Sequence, residues 1–271
     1  MTRRKKMMSL DSSTKKDNSF SAIIQARMGA SRLPDKVLMD LGGIPIIEHI
    51  VGRIKKCHPE KIILAIPIGS NDDPLADWAD KNSIDCVRGS ETNVLSRFDK
   101  AIELCETDIF IRVTGDNPFV EPEIALKTVK HLASEKAEFC VMEGSPPGTT
   151  VEAFTRDAFD KILKLASLQE EFEHVTLAVW YHPAQFNIRI IDAPSDLRYD
   201  NLRLTIDTQK DYELACLIHN ALASENKTPS LREIIGYVQH NPSVVNINQS
   251  VKQQLSAQIK KKKSQVILSN I

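Results

Sequence analysis

The chain has 271 residues, 42% hydrophobic and 26% charged, and its 35 Lys and Arg against 36 Asp and Glu give a formal net charge of −1. That length accommodates one large α/β domain or two small ones, and the near-neutral balance excludes a surface that attracts nucleic acid or membrane by bulk charge. No apolar run approaches the roughly 20 residues of a membrane span, and five scattered cysteines (Cys57, Cys86, Cys105, Cys140, Cys216) without a C-x-x-C pair read as reduced core thiols of a cytoplasmic protein rather than a disulfide or zinc framework.

Residues 1–20 open on Arg3-Arg4-Lys5-Lys6 with no apolar signal core behind them and continue through Ser, Thr, Asp, Asn and Lys, which predicts a flexible tail. Ala22-Ile23-Ile24 predicts a buried strand. Apolar residues at helical spacing predict a helix over 44–56, with Pro45 suited to its first turn. Then come a strand over 61–66, a helix over 73–81, a short strand over 84–87 and a helix over 94–105. A strand over 108–113 ends in Thr114-Gly115-Asp116, followed by a helix over 122–134 and a strand over 137–142. Repeated strand–helix units with short links imply a mostly parallel sheet covered by helices on both faces. Ligands of such sheets sit outside the carboxyl ends of the strands, where the 21–36 loop and Asp116 share a crevice.

The rhythm breaks over 144–198, which reads as an arm inserted into a single domain spanning 21–240. Its predicted pieces are an extended run over 149–154, helices over 156–167 and 169–181, and a strand over 186–191. Val175, Val179, Trp180 and Tyr181 suit either a core or a homodimer contact. Leu202–Ile206 predicts a strand ending in Asp207-Thr208, followed by helices over 209–223 and 231–239. Residues 241–271 read as a polar and basic tail, in which Lys260–Lys263 is a solvated run or, alternatively, a contact for an anionic membrane surface.

The chemistry concentrates in Ser21–Lys36. Arg27, Arg32 and Lys36 fall within ten residues, beside Gly29, Ser31 and the helix-stopping Pro34. Cations and close-approaching backbone N–H groups suit a polyanion, with a triphosphate as the natural ligand; a solvated basic loop is the alternative. Neither a P-loop nor a dinucleotide glycine motif is present. Arg27 and Lys36 are expected to face solvent, so that removing either weakens triphosphate use without unfolding the protein. Asp116 and Asp207, each at a strand end, can share a hard cation such as Mg²⁺; the alternative is that each caps the next helix.

The run Ile23-Ile24-Gln25-Ala26-Arg27-Met28-Gly29-Ala30-Ser31-Arg32-Leu33-Pro34-Asp35-Lys36 resembles the nucleotide-binding loop of the cytidylyltransferases. The similarity is to the branch named for spore-coat polysaccharide biosynthesis protein F, related to the acylneuraminate and 3-deoxy-manno-octulosonate enzymes. Ala30 replaces a usual Ser and Asp35 a usual Gly, which places a negative charge beside Lys36. Arg88-Gly89-Ser90 with Asn93-Val94-Leu95-Ser96-Arg97-Phe98 resembles the family's R-G-S…D-V-L-D-R-[YF] block, Asn93 and Ser96 standing for Asp. Gly148–Glu152 resembles G-x-D-V-E with Thr150 for Asp, and Glu173–Thr176 matches E-H-V-T. The resemblance spans Ile23 to Asp211.

It implies a Rossmann-like α/β fold of the nucleotide-diphospho-sugar transferase type. It also implies transfer of CMP from CTP to a sugar, such as a nonulosonic acid for a surface glycan, with release of pyrophosphate. Arg27, Lys36, Asp116 and Asp207 become the catalytic set, and Asp116 and Asp207 the Mg²⁺ ligands. Gln25, Ala26, Arg27, Gly29, Ser31, Arg32, Lys36, Arg88, Gly89, Asn93 and Gly115 would bind the nucleotide. Glu152 and His174 would face the sugar, a hydrogen-bonded structural role for His174 being the alternative. The expected partners are CTP and a small sugar, without nucleic acid or an integral membrane segment. Two other classes compete: a metal-dependent glycosyltransferase, against which the dense cationic loop argues, and a non-catalytic nucleotide-binding protein, which the departures at Asp35, Asn93 and Thr150 would suit.

Overall fold

The computed structural model describes residues 18–222 and 228–251. The tail expected over the first residues, through 17, and the Lys260–Lys263 run lie outside them. Strand β1 (Phe20–Gln25) already contains the buried Phe20, so the body begins one residue before the expected boundary. A two-stranded ribbon, β2 (Asp40–Leu41) and β3 (Ile44–Pro45), precedes helix α1 (Ile46–Lys55). The main sheet adds β4 (Ile62–Pro67), β5 (Asp85–Gly89), β6 (Ile109–Thr114), β7 (Phe139–Glu143), β8 (Glu152–Thr155) and β9 (Ile188–Asp192). Its seven strands run in the order β5-β4-β1-β6-β8-β7-β9.

β1 lies between β4 and β6, parallel to both, with Ile23 opposite Ile63 and Arg112. The sheet is therefore mostly parallel, as the strand–helix rhythm implies. The exception is β8, antiparallel to β6 and β7. Only residues 144–151 separate β7 from β8, too few for the crossover that parallel neighbours need. Segment 144–198 thus does more than pack against the sheet: it supplies β8 and β9, and only its helices lie over a face.

Alternation of side chains along β1 assigns the two faces. Ala22 and Ile24 point into a core shared with α1, α2 (Asp73–Lys81), α4 (Pro122–Ser134), α8 (Gln209–Leu222) and α9 (Leu231–His240). Ile23 points into a second core with Phe110, Phe139 and Phe154, covered by α3 (Val94–Glu103), α5 (Arg156–Leu165) and α7 (Leu177–Tyr181). The helix expected over 169–181 is interrupted: α6 (Gln169–Glu173) stops before α7, with buried Val175 in the break. Val175, Val179 and Trp180 are buried in this second core, which excludes them as a dimer surface.

Leu202–Ile206 forms no strand. β6 is already paired on both sides, so the segment fastens instead onto turns at the carboxyl end of the sheet. Leu204 N donates to Pro147 O at 2.8 Å and Ile206 N to Asp116 O at 2.8 Å. Gly148 permits this approach: its φ is +99°, and a Cβ there would stand 2.3 Å from Thr205 N. Residues from 241 on, expected as a polar tail, pack against the body as far as Asn248. A 3₁₀ turn, Pro242–Ile247, buries Val245, and Asn248 Nδ2 donates to Asp211 Oδ1 at 2.8 Å. All five cysteines are unpaired.

Candidate active site

Beyond β1 the chain turns sharply and is pinned from both sides. Met28 N donates to Asp72 Oδ1 (2.8 Å), and Asp35 N returns to Met28 O (3.0 Å). Asp35 closes the turn in a left-handed conformation, φ 58°, a region glycine enters freely and Asp tolerates. This explains in physical terms why a Gly would suit the position.

The turn drives Lys36 inward. Contrary to the expectation from sequence, its side chain does not face solvent, and it does not pair with Asp35. Lys36 Nζ donates to Asp116 Oδ2 (3.1 Å), Asp207 Oδ1 (3.0 Å) and Ile206 O (2.7 Å). Asp207 Oδ2 also meets Arg32 Nη2 (3.1 Å) and Arg203 Nη2 (2.5 Å). Burial pushes the Asp207 carboxyl up, but Lys36, then Arg32 and Arg203, more than offset it and hold it below the ordinary carboxylate range.

Neither aspartate caps a helix. Asp211, not Asp207, accepts from Asp207 N, Thr208 N and Thr208 Oγ1 ahead of α8, and Glu121 occupies the cap position of α4. Asp116 Oδ1 instead accepts from Thr114 Oγ1 at 2.6 Å. Gly115 lets the ends of β6 and β1 meet, since a Cβ there would stand 2.7 Å from Ala26 Cβ.

Arg32, Lys36, Asp116 and Asp207 line a cleft of roughly 590 Å³ at the carboxyl ends of β1 and β6, together with Gln25, Ala26, Arg27, Ser31, Gly115, Glu152 and His174. Glu152 is not free for a ligand. Its Oε2 accepts from Arg112 Nη1 (2.6 Å) and Thr176 Oγ1 (2.8 Å), while Arg112 Nε donates to Gln25 Oε1 (2.8 Å). Arg27 faces Glu173 loosely, at 3.7 Å. Burial, then Arg112, lowers the His174 pKa, which keeps the imidazole neutral near pH 7.

Four residues expected to bind nucleotide lie outside the cleft lining: Gly29, Arg88, Gly89 and Asn93. Arg88 donates to the carbonyls of Pro67, Ile68 and Gly69 and pairs with Asp73 at 2.7 Å, so it holds the loop after β4. Asn93 caps α3, accepting from Ser96 N at 2.9 Å. Gly89 gives room to the Arg97 stem, whose Cγ would stand 2.9 Å from a Cβ. In the other direction, the cleft includes Arg97, Arg112 and Asn117, none of which had been given a role from sequence. Asn117 Nδ2 donates to Thr114 Oγ1, leaving its buried Oδ1 without a partner.

Two carboxylates that already share one cation have converging oxygens, a hard-donor arrangement that fits a divalent ion completed by phosphate and water. Among the described residues no larger group of His, Cys, Asp and Glu could hold a metal.

Residues 21–254 match the model of the cytidylyltransferase family. The chain belongs to the cytidylyltransferase family. It is 33% identical over 231 residues to the spore coat polysaccharide biosynthesis protein SpsF of Bacillus subtilis, covering 83% of this chain and 96% of that one. A solved cytidylyltransferase from Leptospira borgpetersenii superposes with a TM-score of 0.78 at 26% identity, covering 87% and 99% of the two chains. CMP:2-keto-3-deoxy-manno-octonic acid synthetase, solved with CTP, shares the fold at a TM-score of 0.57 and 18% identity, covering 75% and 100%. This cytidylyltransferase is therefore a nucleotidyltransferase, which sets aside the glycosyltransferase and non-catalytic alternatives. No helix among the described residues is long and apolar enough to cross a membrane.

Proposed function

We propose that this cytidylyltransferase transfers CMP from CTP to a hydroxyl of a sugar acid, for surface glycan synthesis, with Mg²⁺ held by Asp116 and Asp207. The observation that carries this reading is the convergence of Arg32, Lys36, Asp116 and Asp207 in one cleft at the strand ends. The similarity to a polysaccharide biosynthesis protein supports the glycan assignment.

The acceptor oxygen bonds to the α-phosphorus, the bond from that phosphorus to the bridging oxygen breaks, and pyrophosphate leaves with the electron pair. The hydroxyl proton passes to solvent. Such a reaction asks the protein mainly for position and charge. Arg27 and Arg32, both partly exposed, reach the phosphate chain. Lys36 holds the two aspartates in register. A divalent ion held by Asp116 and Asp207 would supply positive charge to the phosphate oxygens and would lower the pKa of the attacking hydroxyl. On the far side, the Arg112–Glu152–Thr176 chain, Trp180 and neutral His174 form the wall for the sugar.

The test is incubation with Mg²⁺, each of the four nucleoside triphosphates and either 3-deoxy-manno-octulosonate or N-acetylneuraminate, following pyrophosphate. Release that requires both CTP and a sugar acid is expected. Release with another triphosphate in place of CTP, or equal release without acceptor, would overturn the assignment.

A further inference from the structure

Arg97 lies on α3 with 2% of its surface exposed, yet its Nε and Nη1 have no hydrogen-bond partner. Among the described residues no carboxylate pairs with it. Asp72 and Glu91 act only at longer range, and Asp72 is already engaged by Met28 N. Arg53, equally buried, also leaves its Nε without a hydrogen-bond partner, but it donates to Pro229 O and pairs with Glu121, and the half-buried Arg156 donates to the carbonyls of Ile102, Cys105 and Thr107. A buried guanidinium without such partners is costly to the folded state. Arg97 also lines the cleft, beside Ala26, Arg27, Ala30 and Ser31 of the loop after β1. Gly89 leaves room for its stem, since a Cβ there would stand 2.9 Å from Arg97 Cγ.

We propose that Arg97 receives the phosphate chain of the nucleotide, gripping oxygens from beneath the 26–32 loop while Arg27 approaches from its open side. The proposal rests on the cytidylyltransferase reading above and adds a binding residue to it. A phosphate answers both deficits of Arg97, its unpaired charge and its bare N–H groups; a neutral base would answer only the second. The neighbouring charge that opposes Arg97 is Arg27 of the loop, not Arg112 of the sugar wall, and burial together with that repulsion brings its pKa down to about 10. An anion between two guanidinium groups relieves the repulsion.

The experiment compares the full chain with its Arg97→Met variant for thermal unfolding without ligand, and for calorimetric binding of CTP and of inorganic tripolyphosphate with Mg²⁺. A methionine fills the stem's volume and removes the unpaired charge. The Met variant is expected to melt at or above the wild-type temperature while binding both probes about tenfold to a hundredfold more weakly. Unchanged tripolyphosphate affinity would overturn the role of Arg97 whatever the melting temperature. If the Met variant melts lower and also binds weakly, Arg97→Lys decides. Recovery of tripolyphosphate binding supports the proposal, and failure to recover it overturns it. Wild-type protein that binds tripolyphosphate but not CTP would sink the parent function and leave the phosphate role of Arg97 standing.

Discussion

The two ends of the cleft answer charge in opposite ways. At the end of β6, Lys36 has three acceptors and Asp207 meets three cations. On α3, Arg97 Nε and Nη1 have no hydrogen-bond partner among the described residues. The paired end is assembled before any substrate arrives, so its cost in ordering side chains is met during folding. The bare end is completed only by a ligand. A site divided this way fixes the reacting geometry in advance and leaves part of the binding energy to the substrate's own charge.

The largest effect expected is on turnover at the paired end. Asp116→Asn or Asp207→Asn preserves shape and removes one negative charge from the proposed cation site. Pyrophosphate release should fall by about 100-fold or more, the scale of losing one preorganised charge-stabilising group. The double variant should be scarcely worse than either single one, because groups that act as a unit are not additive. Normal release by either variant at saturating Mg²⁺ would reduce the aspartates to partners of Lys36.

A second substitution breaks the pairing itself. Lys36→Met leaves two partly buried carboxylates facing one another without their shared cation. Stability measured by urea unfolding should fall by about 2–4 kcal/mol, as when one member of a buried ion cluster is removed. MgCl₂ should restore more stability to this variant than it adds to the wild type, because the divalent ion then no longer competes with Lys36 for the two carboxylates. Equal Mg²⁺ effects on the two proteins would place the cation site elsewhere.

Lys36 also shows where sequence reading stops. The loop is legible as cationic, and Asp116 and Asp207 are legible as strand-end carboxylates, because apolar runs mark the strands and the residues after them must lie at the sheet's edge. What is not legible is the left-handed turn at Asp35 that sends Lys36 inward. The same limit hides β8, whose antiparallel place in the sheet depends on the shortness of 144–151. It also lets Leu202–Ile206 pass for a strand when its apolar residues merely cover the sheet's end. Arg88 and Arg97 belong to one sequence block, and only Arg97 lines the cleft. A signal for it existed: Val94, Leu95, Phe98 and Ala101 form the buried stripe of α3, and Arg97 is the cation set within it.

The sugar wall offers a smaller effect that titrates. Burial and Arg112 lower the His174 pKa, and burial lowers those of His49 and His219. For a group whose folded pKa lies below its unfolded value, the unfolded chain binds the proton first, so stability is complete above the unfolded pKa and declines as pH falls through the folded one. Unfolding free energy should therefore drop as pH is lowered below about 6.5, the ordinary histidine value. His174→Gln should make that decline shallower. An unchanged slope would mean that the imidazole is not desolvated against Arg112.

The smallest effect separates backbone from charge at the rim of the phosphate loop. Asp35→Gly removes an exposed carboxylate next to Lys36 and places glycine where φ is 58°. The left-handed residue gains, while the more flexible unfolded chain takes part of that gain away, so stability should rise by no more than about 1 kcal/mol. The Asp35 N–H bond to Met28 O is a backbone bond and survives the change. Tripolyphosphate binding should tighten a few-fold, on the order of an exposed charge interaction of about 1 kcal/mol or less, and the gain should shrink as salt is added. A gain that persists at high salt would assign it to loop geometry rather than to charge. Weaker binding would show that the Asp35 carboxylate helps to shape the loop it otherwise opposes.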